Sequence, residues 1–286
     1  MAALDASCDH RPRVNLPLTA AIVLAAVAVF TGALLLVRKY SPKGGFFTDG
    51  DRAAGVFGVL ATGFSVLLGF VVYLAFTTYS TAQGGAQTEA TDVIQQYETA
   101  QLMPKPASSL LSGELICYGR NVVNVEWPQL RHHRDPQPNP WGLQLFRTLQ
   151  TVVPKTAVEQ AAYSKWLDQT SDREQARIDR TQAGEGVIPG PLWLILFVTG
   201  ALVALYVFLF ADPEEHWWPQ AVIGGTIAAM LTVSLLVILF LNNPYTPGTG
   251  SLKPTKMQQV LAEISSASKA LGIQPRIPCD AVGRPL

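Results

Sequence analysis

Charge is what this sequence has least of. Its 286 residues include 21 Lys or Arg and 21 Asp or Glu, 15% in all, with a formal net charge of zero; an ordinary soluble domain carries about 25%. So few ions give no basic face of the kind that nucleic-acid binding requires, and no nucleic-acid partner is expected. Cysteine is scarce too. Cys8, Cys117 and Cys279 are odd in number and far apart, which argues against a disulfide framework and reads as free or buried thiols. No CxxC or Cys/His spacing marks a metal site. His132 and His133 are neighbours and so do not share a helix face; beside Arg131, Arg134 and Asp135 they read as an exposed turn, and His216 next to Trp217 and Trp218 reads as interfacial. A serine nucleophile elbow, a phosphate-binding glycine loop and a zinc-protease helix are all missing. Catalytic residues, cofactor and metal are therefore all expected to be none.

What the chain does have is long apolar runs, with hydrophobic residues at 49%. Leu16 to Val37 is uncharged and, at about 1.5 Å per residue, long enough to cross a bilayer. A secretory signal is the competing reading, but the run is too long for its apolar region and no small-x-small cleavage site separates it from Arg38 and Lys39. Further spans are expected at about 54–79, 190–211 and 219–241, the last with Gly224, Gly225, Ala228 and Ala229 as a small-residue patch suited to close helix packing. Between the second and third spans, residues 88–188 hold most of the acids. Amphipathic patterns there predict helices over about 88–99, 107–125, 141–153 and 156–181, with a proline-rich turn region from Pro128 to Pro140. On the last of these helices Asp172, Arg173, Arg177, Asp179 and Arg180 alternate in charge, as on a solvated face.

The expected fold is all-α and polytopic. It comprises a polar tail at 1–15, a first transmembrane hairpin at 16–87, a helical cytoplasmic insert at 88–188 and a second hairpin at 189–241. A linker, an amphipathic helix at 255–271 and an irregular tail follow. An even number of spans puts the N-terminal segment, insert and C-terminal segment on one side. There Arg11, Arg13, Arg173, Arg177, Arg180, Lys253 and Lys256 outnumber Arg38, Lys39, Lys43 and Arg52 opposite, seven to four, which points to a cytoplasmic insert.

The organising stretch is Ala53 to Gln87, which carries no formal charge. Gly55, Gly58, Gly63 and Gly69 punctuate it, Phe57, Phe64, Phe70 and Phe76 recur along it, and Thr77, Thr78, Tyr79, Ser80 and Thr81 make its end polar. Apolar rings from several copies around an axis could close a pore by dewetting, with wetted hydroxyls at its mouth; the alternative is that the phenylalanines pack on neighbouring helices or lipid. Glu89 and Asp92, just beyond, could face a vestibule and attract cations, or be ordinary solvated helix residues.

The stretch GFSVLLGFVVYLAFTTYSTAQ (63–83), the acids and alanines of GAQTEATDVIQQYETA (84–99) and the proline–aromatic element NNPYTPGTGSL (242–252) resemble the bacterial bestrophin-like domain family. Bestrophins are pentameric ion channels whose second helices line a narrow apolar neck. The resemblance therefore implies a homo-oligomer, a pentamer, in the bacterial inner (plasma) membrane, embedded in a lipid bilayer and passing small ions. It makes Phe64, Leu67, Leu68, Val71 and Ala75 neck candidates, Thr77, Thr78, Ser80, Glu89 and Asp92 mouth candidates, and Asn242, Asn243, Pro244 and Tyr245 the post-span motif. Two departures stand out: no arginine follows the apolar part of the second helix, and Asn242 and Asn243 stand where acids usually precede the proline–aromatic pair. They put anion selectivity and calcium control in doubt. The alternative function is a non-conducting membrane scaffold that binds a partner through the helical insert.

Overall fold

Each long apolar run folds as a helix. The computed structural model describes residues 16–132, 137–184, 186 and 188–286. Cys8, Arg11, Arg13, His133, Arg134 and Asp135 lie outside the described residues. Among those described, the order is α1 (Leu16–Tyr40), α2 (Gly50–Ala100), α3 (Ala107–Asn121), a π-helical turn at Val122–Glu126, α4 (Trp127–Arg131), α5 (Pro140–Gln150), α6 (Ala157–Gln182), α7 (Gly190–Leu209), α8 (Trp217–Asn242) and α9 (Thr255–Ala270). Four of these, α1, α2, α7 and α8, are long and apolar enough to cross a membrane. The chain divides into two units. One holds α1, α2 as far as Phe76, α7, α8 and residues 246–250; the other holds α2 from Thr77, the helices up to residue 186, residues 243–245 and everything from Ser251 on.

In the membrane unit, α1 lies along α8. The glycines of α8 permit this: a Cβ on Gly224 would stand 2.5 Å from Leu34 Cδ2, and one on Gly225 3.4 Å from Thr31 Oγ1. Burying Phe64, Leu68 and Val71 of α2 against Leu196, Val203 and Ile238 forms a second apolar cluster. Arg38, in the last turn of α1, where a cation complements the helix dipole, donates to the carbonyls of Asp212 and Pro213 at 3.1 Å each and to that of Glu215. It thereby ties together the loop ends of the two hairpins.

The second unit is a helical body built around α3, which is buried almost throughout, with α5 and α9 packed on it. Local chemistry starts its helices. Asn139 caps α5, accepting from Trp141 N, with Pro140 in the first turn, where its missing N–H costs nothing. Thr156 and Glu159 form a reciprocal capping box on α6. Pro128 was expected in a turn region but lies in the first turn of α4, directly after the π-helical turn. The amphipathic pattern expected to begin near residue 88 is continuous with the second span, because no proline or stop signal intervenes before Pro104.

One expectation about the body is overturned. Cys117 and Cys279 are not free thiols but a disulfide, with Cα atoms 5.8 Å apart across a sequence separation of 162. Spacing could not reveal it, since the partners are brought together by the fold of the whole body. The stretch after α9 is irregular, and it is docked on the body. It crosses α3 at Gly113, where a Cβ would lie 1.8 Å from Arg276 O. Arg276 N donates to Ser109 O at 3.0 Å, Arg120 Nη1 to Asp280 O at 3.2 Å and Trp141 Nε1 to Gly283 O at 2.7 Å. Gly283 has φ +94°, a conformation that glycine adopts readily and other residues rarely do.

Candidate functional site

The neck candidates on α2 fall together on the packed face of the helix. Phe64, Leu68, Val71 and Ala75 are buried inside the protomer's own helix cluster, and Leu67 is half-buried beside them. The opposite face carries Val59 (75% exposed), Val66 (55%), Phe70 (63%) and Tyr73 (63%). Those four positions, spaced by seven, four and three residues, form one stripe on a helix. The expected neck set thus follows the packed side, while the side left open is equally apolar and entirely uncharged. Its periodicity was present in the sequence, but two apolar faces on one uncharged helix give no contrast by which to choose between them. Thr77 and Thr78, which open the second unit's part of α2, are half-buried, and Ser80 is exposed.

Glu89 and Asp92 are not solvated. Glu89 is fully buried and shares Arg180, itself fully buried, with Glu126: Arg180 Nη2 donates to Glu89 Oε1 at 3.0 Å and to Glu126 Oε2 at 2.6 Å. Tyr118 Oη donates to Glu89 Oε1 at 2.7 Å, and Arg177 stands 3.4 Å from Glu126. Burial opposes the charge on Arg180, yet Glu89 and Glu126 hold its proton even more tightly than usual, while burial raises the Tyr118 hydroxyl. A buried charge of this kind is tolerated only when paired and hydrogen-bonded. Arg173, one face-repeat earlier on α6, is fully buried as well; it donates to Gln96 Oε1 at 2.6 Å and stacks its guanidinium over the Tyr118 ring at 4.7 Å. The expectation of a solvated charged helix at 172–180 therefore fails for Arg173 and Arg180. The buried positions of α6 are Ala162, Trp166, Gln169, Arg173, Ala176 and Arg180, a helical stripe that continues the apolar face into charge.

The post-span motif joins this network. Asn242 Oδ1 accepts from Ile188 N at 3.0 Å in the membrane unit. In the body, Pro244 O accepts from Leu252 N at 2.8 Å, and buried Tyr245 donates to Arg180 O at 2.5 Å with its ring edge-on to Trp127. Asn243 is half-buried next to it.

Asp92 faces a different feature. A groove of about 470 Å³ in the body is lined by Thr81, Gly84, Thr88 and Asp92 of α2 and by Asp172, Gln175 and Asp179 of α6. Asp92 Oδ2 is buried there without a hydrogen-bond partner. Burial first, and then Asp172, pushes its carboxyl up from the ordinary 3.8 to about 6. α2 and α6 come closest at Gly85, where a Cβ would sit 2.6 Å from Ala176 O. Among the described residues no group of three or more His, Cys, Asp or Glu could hold a metal ion.

Residues 20–256 match the family model of the bestrophin-like domain. No curated protein matches the sequence. Among solved structures, a bacterial bestrophin homologue from Klebsiella pneumoniae bearing a single substitution superposes with a TM-score of 0.61 at 12% identity, covering 86% of this chain and 97% of that one. A second such variant gives 0.60 at 10% identity, with 86% and 98% covered. The structure of a membrane protein described only as such gives 0.64 at 10% identity, with 85% and 97% covered. At these identities the likeness is one of fold.

Proposed function

This chain belongs to the bestrophin-like domain family, and from that premise we propose that it is a homo-oligomeric channel, a pentamer, that conducts small ions across a bacterial plasma membrane. The observation that carries the reading is the open stripe of α2, Val59, Val66, Phe70 and Tyr73. In the proposed ring these side chains, with Leu67 at their edge, line the neck. Phe64, Leu68, Val71 and Ala75 hold the helix in place from behind, and Thr77, Thr78 and Ser80 form the wetted mouth. An uncharged apolar constriction of this kind gates by dewetting. Gly63 and Gly69 flank the stripe with no protein atom near where a Cβ would stand, which suits close approach by helices of neighbouring copies.

Recording from the purified protein in planar bilayers, together with its mass in detergent, tests this. Discrete currents from a pentamer with α2 on its axis are expected. Confirmed oligomers that pass neither anions nor cations would overturn conduction and leave the scaffold reading.

A further inference from the structure

We infer that the groove between α2 and α6 in the helical body binds a linear aliphatic polyamine, with its ammonium groups held by Asp92, Asp172 and Asp179 and its methylene chain lying over Gly84 and Ala176. Amine binding there is independent of whether the protein conducts.

Asp92 shows that the groove lacks a cation. The residue is only 7% exposed, lines the groove, and has no hydrogen-bond partner at Oδ2. A buried carboxylate left unpaired is costly. The cost is visible in its proton affinity: burial, and then Asp172, raise the carboxyl to about 6 against the opposing pull of Arg173 and Lys165. Arg173 is committed elsewhere, donating to Gln96 and Glu174, and Lys165 is exposed. Among the described residues no lysine or arginine lines the groove, whereas Asp172 and Asp179 add two more carboxylates to it. Thr81 and Thr88 bring hydroxyl groups to the α2 wall.

The spacing of the acids decides the class of ligand. A divalent metal ion needs oxygen ligands that converge on one point, and among the described residues no three acids do so. Asp172 and Asp179 are both on α6, and their separation in sequence sets them about two turns, or about 10 Å, apart along the helix axis. Charges spread in this way are matched by a ligand whose own positive charges are spaced along a chain. A triamine with three- and four-carbon spacers has a comparable length, and its ammonium groups supply the donors that Asp92 Oδ2 lacks. Asp179 Oδ1 already accepts from Gln175 at 2.9 Å, which leaves its other oxygen for the ligand. Room for the methylenes comes from Gly84: no protein atom lies within 4 Å of where its Cβ would stand.

The test is calorimetric titration of the full chain in a non-ionic detergent with spermidine, followed by thermal melts at increasing spermidine. Saturable binding and a melting temperature that climbs with ligand concentration are expected, since a ligand of the folded state stabilises it by mass action. Propylamine, with a single charge, is expected to bind at least tenfold more weakly, and magnesium chloride at matched ionic strength is expected not to displace spermidine. Two variants locate the site. Asp92→Asn removes the buried charge at nearly constant volume, and Gly84→Leu fills the groove and leaves every acid in place. Both are expected to fold, because Asn is isosteric with Asp and the space at Gly84 is open. Each is expected to weaken spermidine binding at least tenfold. Absence of binding to the wild-type chain would overturn the assignment. So would equal affinity in both variants, or displacement by magnesium, which would mean diffuse attraction by surface charge.

Discussion

At the scale of single residues, Arg180 fixes the body most tightly. Its guanidinium bridges two buried carboxylates, Glu89 and Glu126, and its carbonyl takes the Tyr245 hydroxyl. Removing one partner of a buried ion set leaves an uncompensated charge, so Arg180→Met is expected to destabilise the body by about 3–5 kcal/mol, read as a lower melting temperature of the detergent-solubilised protein. Asp92 makes the opposite case. Its carboxyl is raised to about 6 in the folded state by burial and by Asp172, opposed by Arg173 and Lys165 and assisted by Glu89. Below the ordinary value near 3.8 it is protonated whether folded or not and contributes nothing. As pH rises toward 6 the unfolded chain releases the proton more readily than the folded one, so stability falls, and it stays lower above that. Asp92→Asn is therefore expected to raise the melting temperature at pH 7 to 8 and to leave it unchanged near pH 4. An equal gain at both values would contradict this account.

Elements are held at a few close crossings. Gly85 lets α2 meet α6 with backbone almost touching, and Ala176 O cannot swing aside as a side chain would. Gly85→Val is expected to cost about 1–3 kcal/mol through overpacking, and a melt unchanged from wild type would sink the claim. Along the membrane part of α2 the two faces separate packing from transport. Leu68→Ser puts a hydroxyl into a packed cluster and is expected to lower thermal stability. Phe70→Ser, on the open stripe, is expected to leave stability nearly unchanged and raise single-channel conductance by wetting the neck. A reversed pattern, measured by melting and bilayer recording, would mean that the stripe faces lipid. The four spans and most helix ends were legible in the sequence because hydropathy, Pro140, Thr156 and the glycines are local signals. Which face of α2 is packed was not legible, since Phe64 and Phe70 are chemically alike and only the partners at Leu196 and Val203 tell them apart. The burial of Glu89, Arg173 and Arg180 was hidden for a related reason: charge reads as solvent exposure until its counter-ion, about 90 residues away in the chain for Glu89 and Arg180, is known.

At the scale of the whole molecule, the disulfide closes a loop that contains both α7 and α8. Cross-linking so distant a pair restricts the unfolded chain, and Cys117→Ser with Cys279→Ser is expected to cost about 2–5 kcal/mol. Anchorage of the spans in lipid already limits that freedom, so a value near the lower end is expected in bilayers, read by urea or thermal unfolding of the reconstituted protein. The same loss is expected on reduction of the wild-type protein.

The docking of residues 276–285 on α3 has a consequence for biosynthesis. Gly113, Cys117 and Trp141 leave the ribosome long before the segment that covers them, and the second hairpin must be threaded into the bilayer in between. The nascent body has to wait, half-assembled and with apolar surface uncovered, until the segment beyond α9 has been made. A premature stop anywhere after α9 would therefore strand a protein whose membrane part is complete and whose body has no lid, which makes it a natural client for quality-control proteases.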